Sequence, residues 1–311
     1  MSAKDQLQII LITYNREMHL QRTFEQLFAE NSPIKGYDIL VLDNNSTDGT
    51  EAIVKELMEI HPNVNYKKNR RNVGISGNIA KAIEMAEKDY VWIICDDDRY
   101  DFSNWAEVEK AIENEEEAIC VATFVISEEN RNRDDFKLFQ MTFLPSLIIK
   151  TSNFTNTVMQ NVFDNIYALF PHLCAPISVV NQGKSIYLVE KAIVSNGMDI
   201  ANTDCSYIRG QKSEELYQRT RTMNWIVGYV NLCSNIKDSE LRRLTIANGI
   251  WGIYSDFPKL CDSVMSVYSD KKDWMHLMDL FVVFTDEQQK FFIDKLREKG
   301  LYSKMFEKEM V

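Results

Sequence analysis

Tyr90-Val91-Trp92-Ile93-Ile94-Cys95-Asp96-Asp97-Asp98 decides how this chain is read. Its first six residues are β-branched, aromatic or otherwise apolar, with polar residues on either side, which predicts a short buried strand. Behind them stand three carboxylates. Such groups repel one another and lose solvation unless a cation or hydrogen-bond donors compensate them. In open α/β sheets the carboxyl ends of strands face the ligand crevice. Hard divalent ions such as Mg²⁺ take one or two carboxylates together with substrate phosphates. The triplet therefore predicts a station for a metal and a diphosphate; the plainer alternative is a solvated acidic turn.

Outward from this stretch, strand and helix alternate. Leu7 to Ile12 is an apolar run followed by the polar loop Thr13-Tyr14-Asn15, and Leu20, Phe24, Leu27 and Phe28 then recur at helical spacing. Tyr37 to Leu42 predicts a second strand, ending in Asp43-Asn44-Asn45-Ser46-Thr47-Asp48-Gly49-Thr50 and a helix with the stripe Ile53, Leu57 and Ile60. Val64-Asn65-Tyr66 is a weak strand, and Asn72 to Asn78 opens a helix carrying Ile79, Ile83 and Ala86. A polar helix over about 104–116 and a strand over 118–126 follow. Such alternation implies α/β architecture, a mostly parallel sheet covered on both faces. The loops near 13–16, 43–49 and 96–99 should converge at one rim.

Composition bounds the partners. The 311 residues are 45% hydrophobic and 26% charged, as in globular proteins, and a net charge of −11 argues against a nucleic-acid partner. Six widely spaced cysteines form no CxxC pair and read as free thiols of a reducing compartment. No leader peptide is expected, and no apolar run approaches the ~18 residues of a membrane-spanning helix, so a cytoplasmic enzyme is expected. No GxGxxG follows the first strand, which disfavours a dinucleotide fold. Gly183-Lys184-Ser185 fails as a P-loop because Ser178 stands where its first glycine belongs. Asp43 to Gly49 fails as a calcium loop: the glycine comes one place late, and Val54 replaces the bidentate glutamate.

Four motifs, Ile10-Leu11-Ile12-Thr13-Tyr14-Asn15-Arg16, Asp43 to Thr50, Asn72-x-Gly74-x-Ser76-x-x-Asn78 and Asp96-x-Asp98, together closely resemble glycosyltransferase family 2, in family order and spacing over about 7–100. The resemblance implies a GT-A fold, a sugar-nucleotide donor, a divalent metal (Mg²⁺ or Mn²⁺) and inversion at the anomeric carbon. It implies that Thr13 and Tyr14 flank the nucleobase and that Asp43 accepts a hydrogen bond from it, favouring uracil. It also puts Asp96 beside the ribose and makes Asp98 the metal ligand, with Asp97 in the skipped position. Arg16, Arg71, Asn72, Gly74 and Asn78 complete the expected nucleotide site. Each has a plainer reading: Arg70 and Arg71 as a solvated basic turn, Asn72 to Asn78 as a helix start that itself attracts phosphate, Asp43 as an Asx turn. Arg99 departs from the acidic residue often found after the motif.

The second half is less legible. Ser127 to Asp135 reads as a polar loop near the acceptor, Phe143 to Lys150 as an edge strand, Asn161 to Leu173 as a helix and Ser185 to Val189 as a strand. Family 2 usually places a Glu-Asp pair about a dozen residues before a glycine such as Gly183, the aspartate being the catalytic base. Here that register holds Pro171-His172. Histidine can accept a proton at neutral pH, so His172 is the first candidate base, its alternative being a helix-end residue. Asp164 is the nearest carboxylate substitute, with Glu190 behind it. From about Arg209 the chain reads as helical, with stripes such as Met223, Ile226, Val227 and Val230, or Leu260, Val264, Val267 and Tyr268, and a terminal group of Phe291, Phe292, Leu296, Leu301, Tyr302, Met305 and Phe306. Such stripes serve as core or as contacts to a membrane surface or another subunit.

The expected organisation is a catalytic domain over 1–205, split into a nucleotide-sugar side (1–127) and an acceptor side (128–205), then a helical region over 206–311. The expected activity moves a sugar to a glycan or lipid-linked glycan hydroxyl in surface polysaccharide synthesis. A nucleotidyltransferase would carry a glycine-rich loop where Thr13-Tyr14-Asn15-Arg16 stands. A sugar-nucleotide-binding scaffold without catalysis would match the missing Glu-Asp pair but not the intact Asp96 and Asp98.

Overall fold

Strand β1 (Leu7–Thr13) is buried at every residue, as a strand covered on both faces must be. It pairs in parallel with β2 (Asp38–Asp43) on one side and β4 (Tyr90–Cys95) on the other, and β3 (Val64–Lys68) adds in parallel to β2. The register sets Thr13 beside Asp43, Asp43 beside Lys68, and Ile12 beside Cys95. The carboxyl ends of these strands are therefore level, and this brings their loops to one rim. The full sheet has seven strands in the order β3-β2-β1-β4-β7-β6-β8. Here β7 (Leu147–Lys150) runs antiparallel to both β4 and β6 (Ala118–Cys120), and β8 (Tyr187–Leu188) pairs in parallel with β6. A separate two-stranded ribbon joins β5 (Arg99–Tyr100) to β9 (Val194–Ser195).

Helices α1 (Ala3–Gln6), α2 (Glu17–Leu27), α3 (Thr50–Ile60), α4 (Gly74–Glu84) and α5 (Trp105–Glu113) lie among the first strands. Leu20, Phe24 and Leu27 of α2 and Ile79 and Ile83 of α4 are buried as the spacing predicts. On α3 the buried residues are Thr50 and Val54, and Ile60 is exposed; the helix is turned away from the predicted stripe. Trp92 of β4 donates from Nε1 to the Pro145 carbonyl at 2.7 Å and packs on Trp105 with ring centroids 5.5 Å apart. That anchor explains why 143–150 is not an edge strand. Leu144–Ser146 turns as a 3-10 helix beneath Trp92, and β7 enters the sheet between β4 and β6.

The helix expected over 161–173 begins earlier and ends earlier. Thr155 caps α7 (Asn156–Asp164) by accepting from the Val158 N–H. Leu169 then takes a left-handed backbone (φ 60°) that no α-helix tolerates, between two 3-10 turns, Ile166–Ala168 and Pro171–Leu173. Helix α6 (Asp134–Gln140) precedes β7, and α8 (Cys174–Asn181) follows the second of those turns.

The computed structural model describes residues 1–121, 130–195, 197, 228–253, 258, 261, 265 and 284–303. The strand end at 122–126, the loop residues 127–129 and the stripe residues Met223, Ile226, Val227, Leu260, Val264, Val267, Tyr268, Met305 and Phe306 lie outside these. The chain divides into two compact units, Met1–Arg209 and Gly210–Val311. The second contains the helices Ser239–Ile253 and Asp286–Glu298; the latter buries Phe292 and Leu296 and leaves Phe291 exposed. Among the described residues no helix is long and apolar enough to cross a membrane.

Candidate active site

The three loops meet at the rim through their own hydrogen bonds. The Asn44 N–H donates to the Thr13 carbonyl at 2.9 Å, the Asn15 N–H to Ser46 Oγ at 2.8 Å and the Thr47 N–H to Asn15 Oδ1 at 2.7 Å. Asn15 (φ 50°) and Asn45 (φ 72°) hold left-handed turns, a conformation asparagine accepts more readily than most residues. Tyr14, next to Asn15 in the chain, is half-buried.

The acidic triplet is compensated unequally. Asp96 and Asp98 are each 2% exposed. Asp96 accepts from Thr13 Oγ1 at 2.6 Å and from an Arg16 guanidinium nitrogen at 2.9 Å; the same nitrogen reaches Asp97 at 2.6 Å. Burial alone would weaken the Arg16 charge, but Asp96 and Asp97 outweigh it and hold the guanidinium protonated. Burial raises the Asp96 carboxyl to about 6, with Arg16 opposing the shift and Asp97 adding to it. Among the described residues Asp98 has no such cation within ion-pair distance. Its Oδ1 receives only the Gly197 N–H at 3.4 Å among these residues, and its buried Oδ2 has no hydrogen-bond partner among them. Burial, then the charges of Asp97 and Asp96, push the Asp98 carboxyl up to about 8. A buried, uncompensated carboxylate oxygen is costly, and a divalent ion removes that cost. The residues present fit a bound metal.

The backbone around the triplet is fixed from outside. Thr23 Oγ1 donates to the Asp96 carbonyl at 2.8 Å, Gln26 Nε2 to the Asp98 carbonyl at 3.1 Å, and the Tyr100 hydroxyl to the Cys95 carbonyl at 2.9 Å. The β5–β9 ribbon, continued by the Asp101 N–H on the Ile193 carbonyl, brings Gly197 to Asp98. These supports were not visible in the sequence. Thr23 and Gln26 sit on a helix read only for its apolar stripe, and Gly197 is about a hundred residues from its partner.

Asp43 is fully buried, and both of its oxygens are taken. Oδ1 accepts from the Ser46 N–H at 2.7 Å and Ser46 Oγ at 2.6 Å, and Oδ2 from the Tyr66 hydroxyl at 2.6 Å. The Asx turn is the role this geometry shows, and it leaves no exposed oxygen for a nucleobase. Beside it, Asn44 Nδ2 donates to Asn72 Oδ1 (2.8 Å), Asn44 Oδ1 accepts from the Val73 N–H (3.0 Å) and from Asn69 Nδ2 (3.1 Å), and Asn69 Nδ2 also reaches Asn78 Oδ1 at 2.8 Å. Asn72 and Asn78 thus tie the start of α4 to the end of β2. Gly74 supplies the left-handed turn (φ 76°) that starts the helix, its N–H on Asn72 Oδ1 at 2.8 Å. Arg70 and Arg71 are exposed on the approach to α4.

The two base candidates are not brought to the triplet by any contact described. His172 is 2% exposed; its ring Nε2–H donates to the Met141 carbonyl at 2.9 Å, and it packs among Ile83, Val91, Ile93, Leu147 and Phe154. Burial lowers its pKa to about 4, against a smaller opposing effect of the Met141 carbonyl. This placement corrects the expectation for His172: a neutral imidazole donating to a carbonyl in an apolar layer is a core residue, not a base facing an acceptor. Asp164 is exposed at the end of α7.

Level parallel strands ending in this polar rim, extended by an antiparallel β7 and a two-stranded ribbon, define a GT-A-type α/β domain. The chain belongs to glycosyltransferase family 2: the model of "Glycosyl transferase family 2" matches residues 8–174. It is similar to the GalNAc(5)-diNAcBac-PP-undecaprenol beta-1,3-glucosyltransferase of Campylobacter jejuni, 29% identical over 93 residues, 30% of this chain and 29% of the relative. It is also similar to the dolichyl N-acetyl-alpha-D-glucosaminyl phosphate 3-beta-D-2,3-diacetamido-2,3-dideoxy-beta-D-glucuronosyltransferase of Methanococcus voltae, 29% identical over 171 residues, 51% of this chain and 52% of the relative. The matches thus span about half of one of these relatives and less than a third of the other. Among solved structures, S. aureus TarS 1–349 in complex with UDP-GlcNAc superposes with a TM-score of 0.58 at 13% identity, covering 95% of this chain and 92% of that one. The mannosyltransferase PcManGT of Pyrobaculum calidifontis, in complex with GDP-Man and Mn²⁺, gives 0.58 at 13% identity, covering 96% and 88%. These structures share the GT-A fold with this chain.

Proposed function

We propose that this glycosyltransferase moves a sugar, with inversion, from a nucleoside-diphosphate donor to a hydroxyl of a glycan or lipid-linked glycan, and that it requires a divalent cation. The observation that carries the reading is the buried Asp98 oxygen that has no partner among the described residues, at the strand end where Arg16 pairs with Asp96 and Asp97. Asp98 would hold Mg²⁺ or Mn²⁺, and the ion would supply Lewis-acid charge to the leaving diphosphate. Arg16 lessens the repulsion between the two neighbouring carboxylates and that diphosphate. The exposed Arg71 would add charge-assisted hydrogen bonds to it, and Thr13, Tyr14 and Asp96 would border the nucleoside.

Uridine donors remain the first choice because the TarS complex holds UDP-GlcNAc. Asp43, closed in its own turn, no longer supports that preference. The PcManGT complex with GDP-Man makes guanosine donors the alternative. The lipid-linked acceptor is supported by the undecaprenol and dolichyl names of the two relatives. A C-terminal helix exposing Phe291 supports peripheral membrane contact or self-association. With His172 in the core, Asp164 is the first accessible candidate for the base that takes the acceptor proton, with the equally exposed Glu190 behind it. The test is donor hydrolysis: release of nucleoside diphosphate from UDP-sugars, supported by Mn²⁺ and abolished by EDTA. Release undiminished in EDTA contradicts the metal requirement. Absence of release from every UDP-, GDP- and dTDP-sugar with Mn²⁺ favours the scaffold alternative.

A further inference from the structure

Cys95 is the last residue of β4, immediately before the triplet. Its Sγ and one carboxylate oxygen each of Asp97 and Asp98 all lie within 4.8 Å of one another. That is about the span of two metal–ligand bonds, which run ~2.0–2.4 Å for oxygen and ~2.3 Å for thiolate. All three can therefore reach a single ion with small side-chain adjustments. The independent sign of a ligand here is Asp98, 2% exposed and with a buried Oδ2 lacking any partner among the described residues.

We propose that the cation site of this chain carries a thiol donor, Cys95, and therefore selects between metals: carboxylates alone for Mg²⁺ or Mn²⁺, carboxylates plus the Cys95 thiolate for soft ions such as Zn²⁺ and Cd²⁺. This rests on the reading of Asp98 as a metal ligand and adds a donor to it. Softness decides the partition. Thiolates bind Zn²⁺ and its heavier congener strongly, whereas Mg²⁺ and Mn²⁺ favour oxygen. A coordinating thiol gives up its proton to the medium as the metal–sulfur bond forms. An ion held by sulfur as well as oxygen has fewer positions left for a diphosphate, so Zn²⁺ and Cd²⁺ act as competitors of the productive ion.

Cadmium alone is the probe, on the full chain. Its thiolate-to-metal charge-transfer absorption reports sulfur coordination directly, and free Mn²⁺ counted by electron paramagnetic resonance reports the carboxylates. The expected result is one Cd²⁺ per chain with the absorption band. Cys95→Ser and Cys95→Ala should both lose the band and bind Cd²⁺ on the order of 10²-fold more weakly, with Mn²⁺ affinity held within about twofold. Cys120, Cys174, Cys233 and Cys261 are buried and serve as internal controls. Mn²⁺ bound normally while Cd²⁺ binding survives both Cys95 variants overturns the thiol donor alone. Neither ion bound by the wild type overturns the metal site and the thiol donor together.

Discussion

At the scale of single residues, the chain sorts its buried titratable groups into two kinds. Asp98 is a buried acid whose Oδ2 has no partner among the described residues, and Asp98→Ala should abolish donor-dependent thermal stabilisation by Mn²⁺, whereas Asp97→Ala, at the half-buried and Arg16-paired position, should be milder. The folded Asp98 carboxyl sits near 8, above its unfolded value of about 3.8, so the metal-free protein holds a proton that the unfolded chain has released. Its stability should therefore fall as pH rises from about 4 to about 8, and Asp98→Asn should flatten that slope in thermal melts with EDTA. His172 runs the other way. Its folded pKa near 4 lies below the ordinary 6.5, so the unfolded state binds the extra proton and stability is lost as pH falls from about 6.5 to about 4, by at most about 3 kcal/mol. His172→Leu should remove this dependence and retain transfer per folded molecule. A loss of 10²–10⁴-fold in turnover with intact folding would instead restore the general-base role.

At the scale of elements, the joint between β2 and α4 is made of polar side chains rather than apolar ones. Asn44, Asn69, Asn72 and Asn78 satisfy one another in a largely buried network, so removing one strands its partners. Asn69→Ala should cost about 1–3 kcal/mol in denaturant unfolding and weaken donor binding through the displaced start of α4. Gly74→Ala, at φ 76°, should cost about 1–2 kcal/mol. What the sequence made legible follows the same division. Level parallel strands were readable because β1, β2 and β4 are continuous apolar runs, and the rim was readable because its polar loops follow those runs directly. Beyond residue 140 the signals fail for physical reasons. The Trp92 indole holds the Pro145 turn and makes β7 an interior strand, a contact between residues far apart in the chain. Leu169 breaks a helix with a left-handed backbone that leucine's local preference would not suggest. His172 stands at the register where family 2 usually keeps its catalytic pair, and position in sequence carried no information on whether its ring faced the rim or the core.

At the scale of the whole molecule, a family 2 transferase domain is followed in the chain by a second unit, Gly210–Val311, whose described helices present both buried and exposed aromatic residues. If the exposed Phe291 face meets lipid, the full chain should co-sediment with vesicles, weakly and with little salt dependence given a net charge of −11. Phe291→Ser should then reduce that fraction without changing donor hydrolysis; a wild-type chain that stays wholly in the supernatant contradicts the membrane contact. The central claim, that the strand-end carboxylates hold a cation and through it a nucleoside diphosphate, is tested most directly by calorimetric titration of UDP and GDP. The titrations use wild-type and Asp98→Ala protein, each with Mn²⁺ and with EDTA. The account predicts that the wild type binds a nucleoside diphosphate with Mn²⁺ only, UDP more tightly than GDP, and that Asp98→Ala binds neither; equal binding in EDTA, or undiminished binding by Asp98→Ala, would contradict it.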